Sequence, residues 1–137
     1  MKCYKILAKY RGRYFAPCTR HDWTEEVSTG KWAEVEGQIR ICYNGLHAAK
    51  TNKYSLFYWL REYCQEFPRI VVFEAFTGKK VIGKPKRYNK ICAKRMRIGK
   101  KVAEIVRTKG DPFCYGQITR IVWELCGEKR KKISRRA

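Results

Sequence analysis

The chain has 137 residues, with 32 Lys and Arg against 12 Asp and Glu, and a formal net charge of +20. Its composition, 45% hydrophobic and 14% aromatic, supplies the core of one domain and excludes wholesale disorder. No apolar stretch approaches the roughly 18 residues of a membrane span, and the N-terminus lacks the apolar run of a signal peptide. We therefore expect a basic globular protein of the cytoplasm.

The cysteines support a reducing compartment. There are seven of them, an odd number, and they are spread along the chain rather than clustered in a disulfide framework. We expect most of these cysteines to be free thiols of an intracellular protein, which pack in the core as small hydrophobic residues.

The N-terminal third predicts short strands. Residues 3–9 are rich in β-formers and predict a first strand, followed by a second short strand around 14–15. Residues 28–30 predict a turn. Apolar and polar residues alternate over 32–36 and again over 39–43, so a strand is expected in each segment.

The middle of the chain predicts a helix followed by a central strand. Thr51 or Asn52 can cap a helix that runs to about Cys64, because its apolar residues recur at helical spacing. Residues 70–76 form a nearly continuous apolar run that is too short for a helix and predicts a buried strand. Residues 78–85 predict a basic loop.

The C-terminal third predicts a strand with a bulge over 89–98 and a short helix over 102–106. A clean helical stripe over 118–125 ends at Gly127, which stands where a helix C-cap belongs. These elements predict one α+β domain over residues 1–128, with a mixed or antiparallel sheet and two or three helices. Residues 129–137 predict a basic, flexible tail.

Positive charge is concentrated in the second half of the chain. Residues 79–137 carry 20 basic residues against 4 acidic ones, and residues 79–101 alone hold 11 basic residues and no acid. A small domain usually has a net charge of about 2–8 with both signs interspersed, so this excess indicates a polyanionic partner. Dense Lys and Arg neutralise phosphates and release counterions without reading sequence.

The sequence therefore predicts a nucleic-acid-binding protein, for DNA or RNA, that performs no catalysis. Tyr88 is the expected stacking residue, since an aromatic ring among basic residues can stack on an exposed base. The predicted phosphate-binding residues fall into a central segment and the tail: Lys79, Lys80, Lys84, Lys86, Arg87, Lys90, Lys94, Arg95, Arg97, Lys100 and Lys101, then Lys129, Arg130, Lys131, Lys132, Arg135 and Arg136.

Three segments resemble a small domain of unknown function found in phage and prophage proteins. They are a Gly-aromatic-His-Ala type element at 42–48, a strand at 69–78 and a basic strand at 89–98, within about residues 39–102. Leu46 stands where the family usually has an aromatic residue. The resemblance implies an α+β fold and a phage-type origin, and hence the host cell cytoplasm as location. It implies no catalytic residue.

A zinc site is an alternative with a specific residue set. Cys18 and His21 are three residues apart, Cys42 and His47 five apart, and together they have the composition of a tetrahedral zinc site. The two pairs must converge from separate segments, and His47 fits equally well as a core histidine.

Two other functions stay open. ADP-ribosyltransferases share a compact α+β build, and His21, the Ser28–Thr29 pair and Glu74 fit the roles of their early-strand histidine, Ser-Thr element and glutamate by fold-level analogy. Such an enzyme would modify a host factor. Alternatively, the basic surface serves an interaction protein that binds an acidic surface of a host complex.

Overall fold

The computed structural model describes residues 1–41, 44–83 and 90–127. This part of the chain contains eight strands in two antiparallel sheets together with three helices, which confirms the α+β prediction. In chain order the elements are β1 (Lys2–Tyr10), β2 (Arg13–Phe15), α1 (Thr24–Thr29), β3 (Ala33–Glu34), β4 (Leu46–Ala48), α2 (Lys53–Glu66), β5 (Arg69–Thr77), β6 (Val81–Gly83), β7 (Ile91–Ala93), β8 (Arg95–Val106) and α3 (Tyr115–Cys126).

A five-stranded sheet, the large sheet, forms the centre of the fold in the order β2-β1-β5-β8-β3. The apolar run predicted as a central strand is β5, and it pairs with β1 on one side and β8 on the other. A strand buried on both faces needs no alternation of polar and apolar residues, which explains its composition.

The small sheet is a continuation of the β5–β8 pair. Beyond β5 the chain passes Gly78 into β6, and β7 passes Lys94 into β8, so that one long hairpin bends between the two sheets. The bend is held by two backbone hydrogen bonds, from Gly78 to the carbonyl of Arg95 and from Lys94 to the carbonyl of Lys80. Strand β4 then pairs with β7 and completes the order β4-β7-β6.

Strand alternation divides the core into two clusters, one on each face of the large sheet. On the helix face, Ile6 of β1 and Ile70 of β5 pack with α2 and α3. On the opposite face, which we call the inner face, Leu7 and Phe73 pack with Trp23 and with the small sheet.

The helices are attached by polar groups at defined points. Asn52 caps α2 by accepting a hydrogen bond from the backbone of Ser55, as its sequence predicts. Arg107, just beyond β8, donates to the carbonyls of Cys64 and Gln65 in the last turn of α2. Helix α3 is fixed to β8 by the side-chain amide of Gln117.

Two predicted elements are wrong. The helix expected over 102–106 is the end of β8, where a bulge places both Val102 and Ala103 in the cluster under the helices, and this imitates a helical stripe. In the described part of the strand expected over 39–43, residues 39–41 form no strand, and Arg40 makes only an isolated bridge to Asn44. The Asn44 side chain donates to the carbonyls of Glu36 and Gln38. Strand β4 begins after that segment, and positions 42 and 43 are outside the described residues.

Two further segments differ from their predictions in part. The turn expected at 28–30 is the end of the short helix α1, which Gly30 terminates in the left-handed conformation. The basic loop expected at 78–85 contains β6 as its middle part. Neither α1 nor β6 has the periodic apolar pattern by which a helix or a strand is predicted from sequence.

We expect Leu60→Ala to lower the free energy of unfolding by about 2–5 kcal/mol, because Leu60 is fully buried between α2 and the large sheet. The measurement is urea-induced unfolding followed by circular dichroism. Gln65→Ala is the matched control on the same helix, since Gln65 is exposed, and it should stay within about 0.5 kcal/mol of the unsubstituted chain. Equal losses in both variants would contradict the packing of Leu60 in the core.

Candidate nucleic-acid interface

Arginine and aromatic side chains meet at one end of the large sheet. The Arg97 guanidinium lies 4.5 Å from the ring centre of Phe76 and 5.8 Å from that of Trp32. The Arg95 guanidinium lies 4.5 Å from the same Trp32 ring. Trp32 is 41% exposed, so these cation–π contacts are at the surface.

Alternation along β8 produces this arrangement. Met96 and Ile98 are buried in the inner cluster, and Arg95 and Arg97 therefore lie on the other face of the strand. Helices α2 and α3 pack farther along β8, against Val102 and Ile105, and leave this end of the helix face uncovered by them. The arginines are thus positioned by a rigid strand rather than by a loop.

Three lysines lie beside the arginines because of the bend in the hairpin. The backbone bonds between residues 78 and 95 and between residues 80 and 94 place Lys79, Lys80 and Lys94 next to the start of β8. The Lys94 ammonium also donates to the carbonyl of Gly37 at 2.7 Å. We call the resulting surface the basic sheet end; it consists of Trp32, Phe76, Lys79, Lys80, Lys94, Arg95 and Arg97.

Carboxylates neutralise only part of this surface. Glu34 pairs with Arg95 at 3.1 Å, and Glu74 pairs with Lys2 at 2.9 Å. The hydrogen bond to Glu74 raises the pKa of Lys2. Arg97 forms no ion pair with any acidic residue in the described ranges, so its contacts are with the two rings and its charge is available to an incoming anion.

The other predicted phosphate-binding residues are placed differently. Lys90 directly precedes β7 and lines a cavity, whereas Lys101 pairs with Glu104 on β8. Lys100 is exposed on the same strand. The remaining predicted residues are outside the described part of the chain: Lys84, Lys86, Arg87, Tyr88, Lys129, Arg130, Lys131, Lys132, Arg135 and Arg136.

Sequence reasoning did not select Trp32 or Phe76, although the structure brings both to the basic sheet end. Trp32 is the first residue of the strand predicted over 32–36, and Phe76 is the last residue of the predicted central strand. Strand pairing places both rings: Phe76 is opposite Arg97, and Ala33 is opposite Met96, so that Trp32 and Phe76 lie beside the arginines that alternate along β8.

A cavity of about 330 Å³ lies at the edge of β1. Along that edge Tyr4 pairs with Ala49, and the residues from Ala8 onward pair with β2. The cavity lies between these two paired parts, next to Ile6. Its wall includes Lys5 and Lys90, both histidines of the chain, and the rings of Trp23, Trp59 and Tyr63.

Lys5 is buried in this wall, only 6% exposed. Its ammonium donates to the carbonyl of His47 at 2.6 Å and lies 4.7 Å from the ring centre of Trp23. Among the described residues it forms no ion pair. Burial, together with the nearby charge of Lys90, lowers the pKa of Lys5 to about 8.

Three of the four residues of the predicted zinc set line the same cavity. Cys18 and His21 come from the loop before α1, and His47 comes from β4. They are not close enough to form a metal-binding cluster of three or more ligands in the part of the chain that the structure describes; Cys42 is outside it. Burial and the charges of Lys90 and Lys5 lower the pKa of His47 to about 4, so this histidine is neutral at pH 7.

The residues that fit an ADP-ribosyltransferase do not form one site. Glu74 neighbours Gly99 on the helix face and pairs with Lys2. His21 packs edge-on against Trp23, whose ring belongs to the inner cluster on the other face. Ser28 and Thr29 donate to the carbonyl of Glu25 within α1.

No family model matches the chain, and no curated protein or solved structure is significantly similar to it. The phage-type origin that the sequence resemblance implies therefore stays a prediction. Among the described residues no helix has the length and apolar character of a membrane span.

We expect Lys5→Met to stabilise the protein at neutral pH, since it removes a buried charge and keeps an unbranched chain of similar length. The folded pKa of about 8 lies below the ordinary 10.5, so between these values the unfolded chain binds more protons and the stability of the unsubstituted protein rises with pH. The advantage of Lys5→Met should be on the order of 3 kcal/mol below pH 8 and should shrink toward pH 10.5. Urea unfolding at pH 7, 8, 9 and 10 measures it; a difference independent of pH would contradict the buried ammonium.

Proposed function

We propose that the protein binds nucleic acid through the basic sheet end, with phosphate contacts supplying the affinity and stacking on Trp32 and Phe76 favouring single strands. The observation that carries this proposal is the contact of Arg97 with both rings. A phosphate beside the guanidinium and a base beside a ring are then bound by one rigid surface.

The geometry supports phosphate binding at several points. Arg95 and Arg97 are separated by one residue on β8, so both project from the same face of the strand. The lysines of the bend extend the positive surface beyond the strand. Guanidinium groups bind phosphate oxygens in bidentate geometry, and this arrangement suits a chain of phosphates better than a single anion.

The aromatic residues support a preference for unpaired bases. Trp32 is exposed beside the arginines, and Phe76 is half-buried in the adjacent strand. Stacking on such rings is tolerant of base identity because every base has a π-face. Bases in a duplex are already stacked on one another, so the rings contribute only where bases are exposed.

Salt dependence tests the phosphate contacts. We expect the logarithm of the association constant for a single-stranded oligonucleotide to fall with the logarithm of the salt concentration, with a slope of about −3 to −4 if five basic side chains contact phosphates. The Arg95→Ala/Arg97→Ala double variant should reduce the magnitude of that slope by about 1.4. Fluorescence anisotropy at several salt concentrations measures both.

Lys109→Ala is the matched control for charge. Lys109 is exposed in the loop that follows β8, at the strand end opposite Arg95, and its removal should leave the slope close to that of the unsubstituted chain. Weak binding at low salt, or a slope near zero, would refute nucleic-acid binding. Equal binding of acidic polypeptide and oligonucleotide would favour the alternative, an interaction protein for an acidic surface.

Stacking is tested separately by Trp32→Ala. We expect this variant to bind a single strand about 5- to 100-fold more weakly, because one base–aromatic stack is lost, and to bind duplex as the unsubstituted chain does. Trp123→Ala is the control, since Trp123 is 52% exposed on α3 and lies outside the basic sheet end. If Trp32→Ala weakens duplex and single-strand binding equally, the ring acts only by supporting the arginines.

A further inference from the structure

We propose that the cavity at the edge of β1 binds a small aromatic anion of the nucleoside monophosphate class. Its phosphate would lie between the ammonium groups of Lys5 and Lys90, and its base against Trp59 and Tyr63. Arg95, Arg97, Trp32 and Phe76 do not line the cavity, whereas Glu34, the ion-pair partner of Arg95, does, so this site lies beside the basic sheet end and not within it.

The first argument is the convergence of two cations that pair with no carboxylate, since the acid in the wall, Glu34, pairs instead with Arg95. Lys5 comes from β1 and Lys90 directly precedes β7, and both line the same cavity. The charge of Lys90 is close enough to disfavour the charge of Lys5. Among described residues, neither ammonium forms an ion pair. An anion placed between them would relieve this repulsion and compensate the burial of Lys5.

The second argument is the state of the Lys5 side chain. An ammonium has three donors, and one of these is directed at the carbonyl of His47. The position is costly for folding, because a buried charge lacks hydration. Such a group in a cavity wall is characteristic of ligand-binding sites, where the missing partner is supplied by the ligand.

The third argument is the aromatic part of the wall. Trp59 and Tyr63 are half-buried neighbours on one face of α2, with ring centres 5.5 Å apart and planes tilted by 32°. The Lys90 ammonium lies 4.7 Å from the centre of the Trp59 ring. An aromatic surface beside a cation favours a ligand that carries a ring next to its negative charge.

The dimensions and backbone of the cavity restrict the ligand further. About 330 Å³ is at the lower end of the range for small-molecule sites, roughly 300–1,000 Å³, so one small molecule or one terminal residue of a polymer fits and a duplex does not. The backbone groups of Ile6 lie on the β1 edge that bonds to Ala49 two residues earlier. An edge of this kind offers one donor and one acceptor to a base.

Titration calorimetry with the full chain tests the proposal, using AMP, adenosine and inorganic phosphate as probes at pH 7. We expect saturable binding of AMP with one site per chain, and weaker binding of adenosine and of phosphate, because each lacks one half of the ligand. Lys5→Met should weaken AMP binding about 10- to 100-fold through loss of a charge-assisted hydrogen bond. Lys90→Met should weaken it as well, and Lys109→Met should not.

One further measurement keeps the test decisive. If Lys5→Met does not fold, the affinity of the unsubstituted chain is measured against pH, and it should fall as pH rises above about 8, where Lys5 loses its charge. Absence of saturable AMP binding would overturn the proposal. AMP binding that is unchanged in both Lys5→Met and Lys90→Met would also overturn it.

The same phosphate and base can come from a free nucleotide or from the 5′ end of a strand. The Lys79→Ala/Arg97→Ala variant, in which the basic sheet end is weakened while Glu34 keeps Arg95 as its partner, distinguishes the two with 5′-phosphorylated and 5′-hydroxyl oligonucleotides. A preference for the phosphorylated end that AMP competes away identifies the strand end, whereas AMP binding without such a preference identifies the free nucleotide. Because AMP is titrated alone, its failure to bind leaves the nucleic-acid proposal untouched.

Discussion

The pairing of β5 with β8 is the constraint on which the rest of the structure depends. It joins the longest strand of the described chain to a largely buried central strand, and its continuation beyond Gly78 and Lys94 creates the small sheet. The bulges in this pairing bring Val102 and Ala103 under the helices. Gly99 lies within the second register shift, between the Lys101–Phe73 and Ile98–Ala75 pairs. A Cβ there would stand 3.1 Å from the Phe76 ring and 3.2 Å from the Glu74 carbonyl. A side chain at 99 would therefore displace one wall of the basic sheet end.

One strand thus has two functions along its length. Its C-terminal part, including Ile105, closes the hydrophobic core, and its N-terminal part presents Arg95 and Arg97 beside aromatic rings. Because the same strand backbone continues through both parts, packing of its C-terminal part in the core also restricts the motion of Arg95 and Arg97. A binding group held by a strand loses little conformational freedom when its ligand arrives, and this favours affinity.

Sequence reasoning succeeded where local chemistry decides the structure. The Asn52 cap, the buried run of β5 and the stripe of α3 are signals that a few neighbouring residues contain completely. It failed where distant residues decide, since the Val102 bulge depends on the register with β5 and the loop before β4 depends on the Asn44 amide. The basic character of the site was visible in the sequence, but its aromatic half was not, because Trp32 reaches the arginines only through strand pairing.

Lys5 shows a different kind of signal, one that is present in the sequence and easily missed. Cys3 and Leu7 share its side of β1, and both are fully buried, so the alternation of the strand assigns a lysine to a core position. An exposed lysine in a chain with 32 basic residues carries little information. A lysine at a core position is different: selection for stability alone would replace it by an apolar residue. Among the described residues Lys5 is the one charged side chain that is buried, and for this reason we assign it, and no surface lysine, to the core of the proposed small-ligand site.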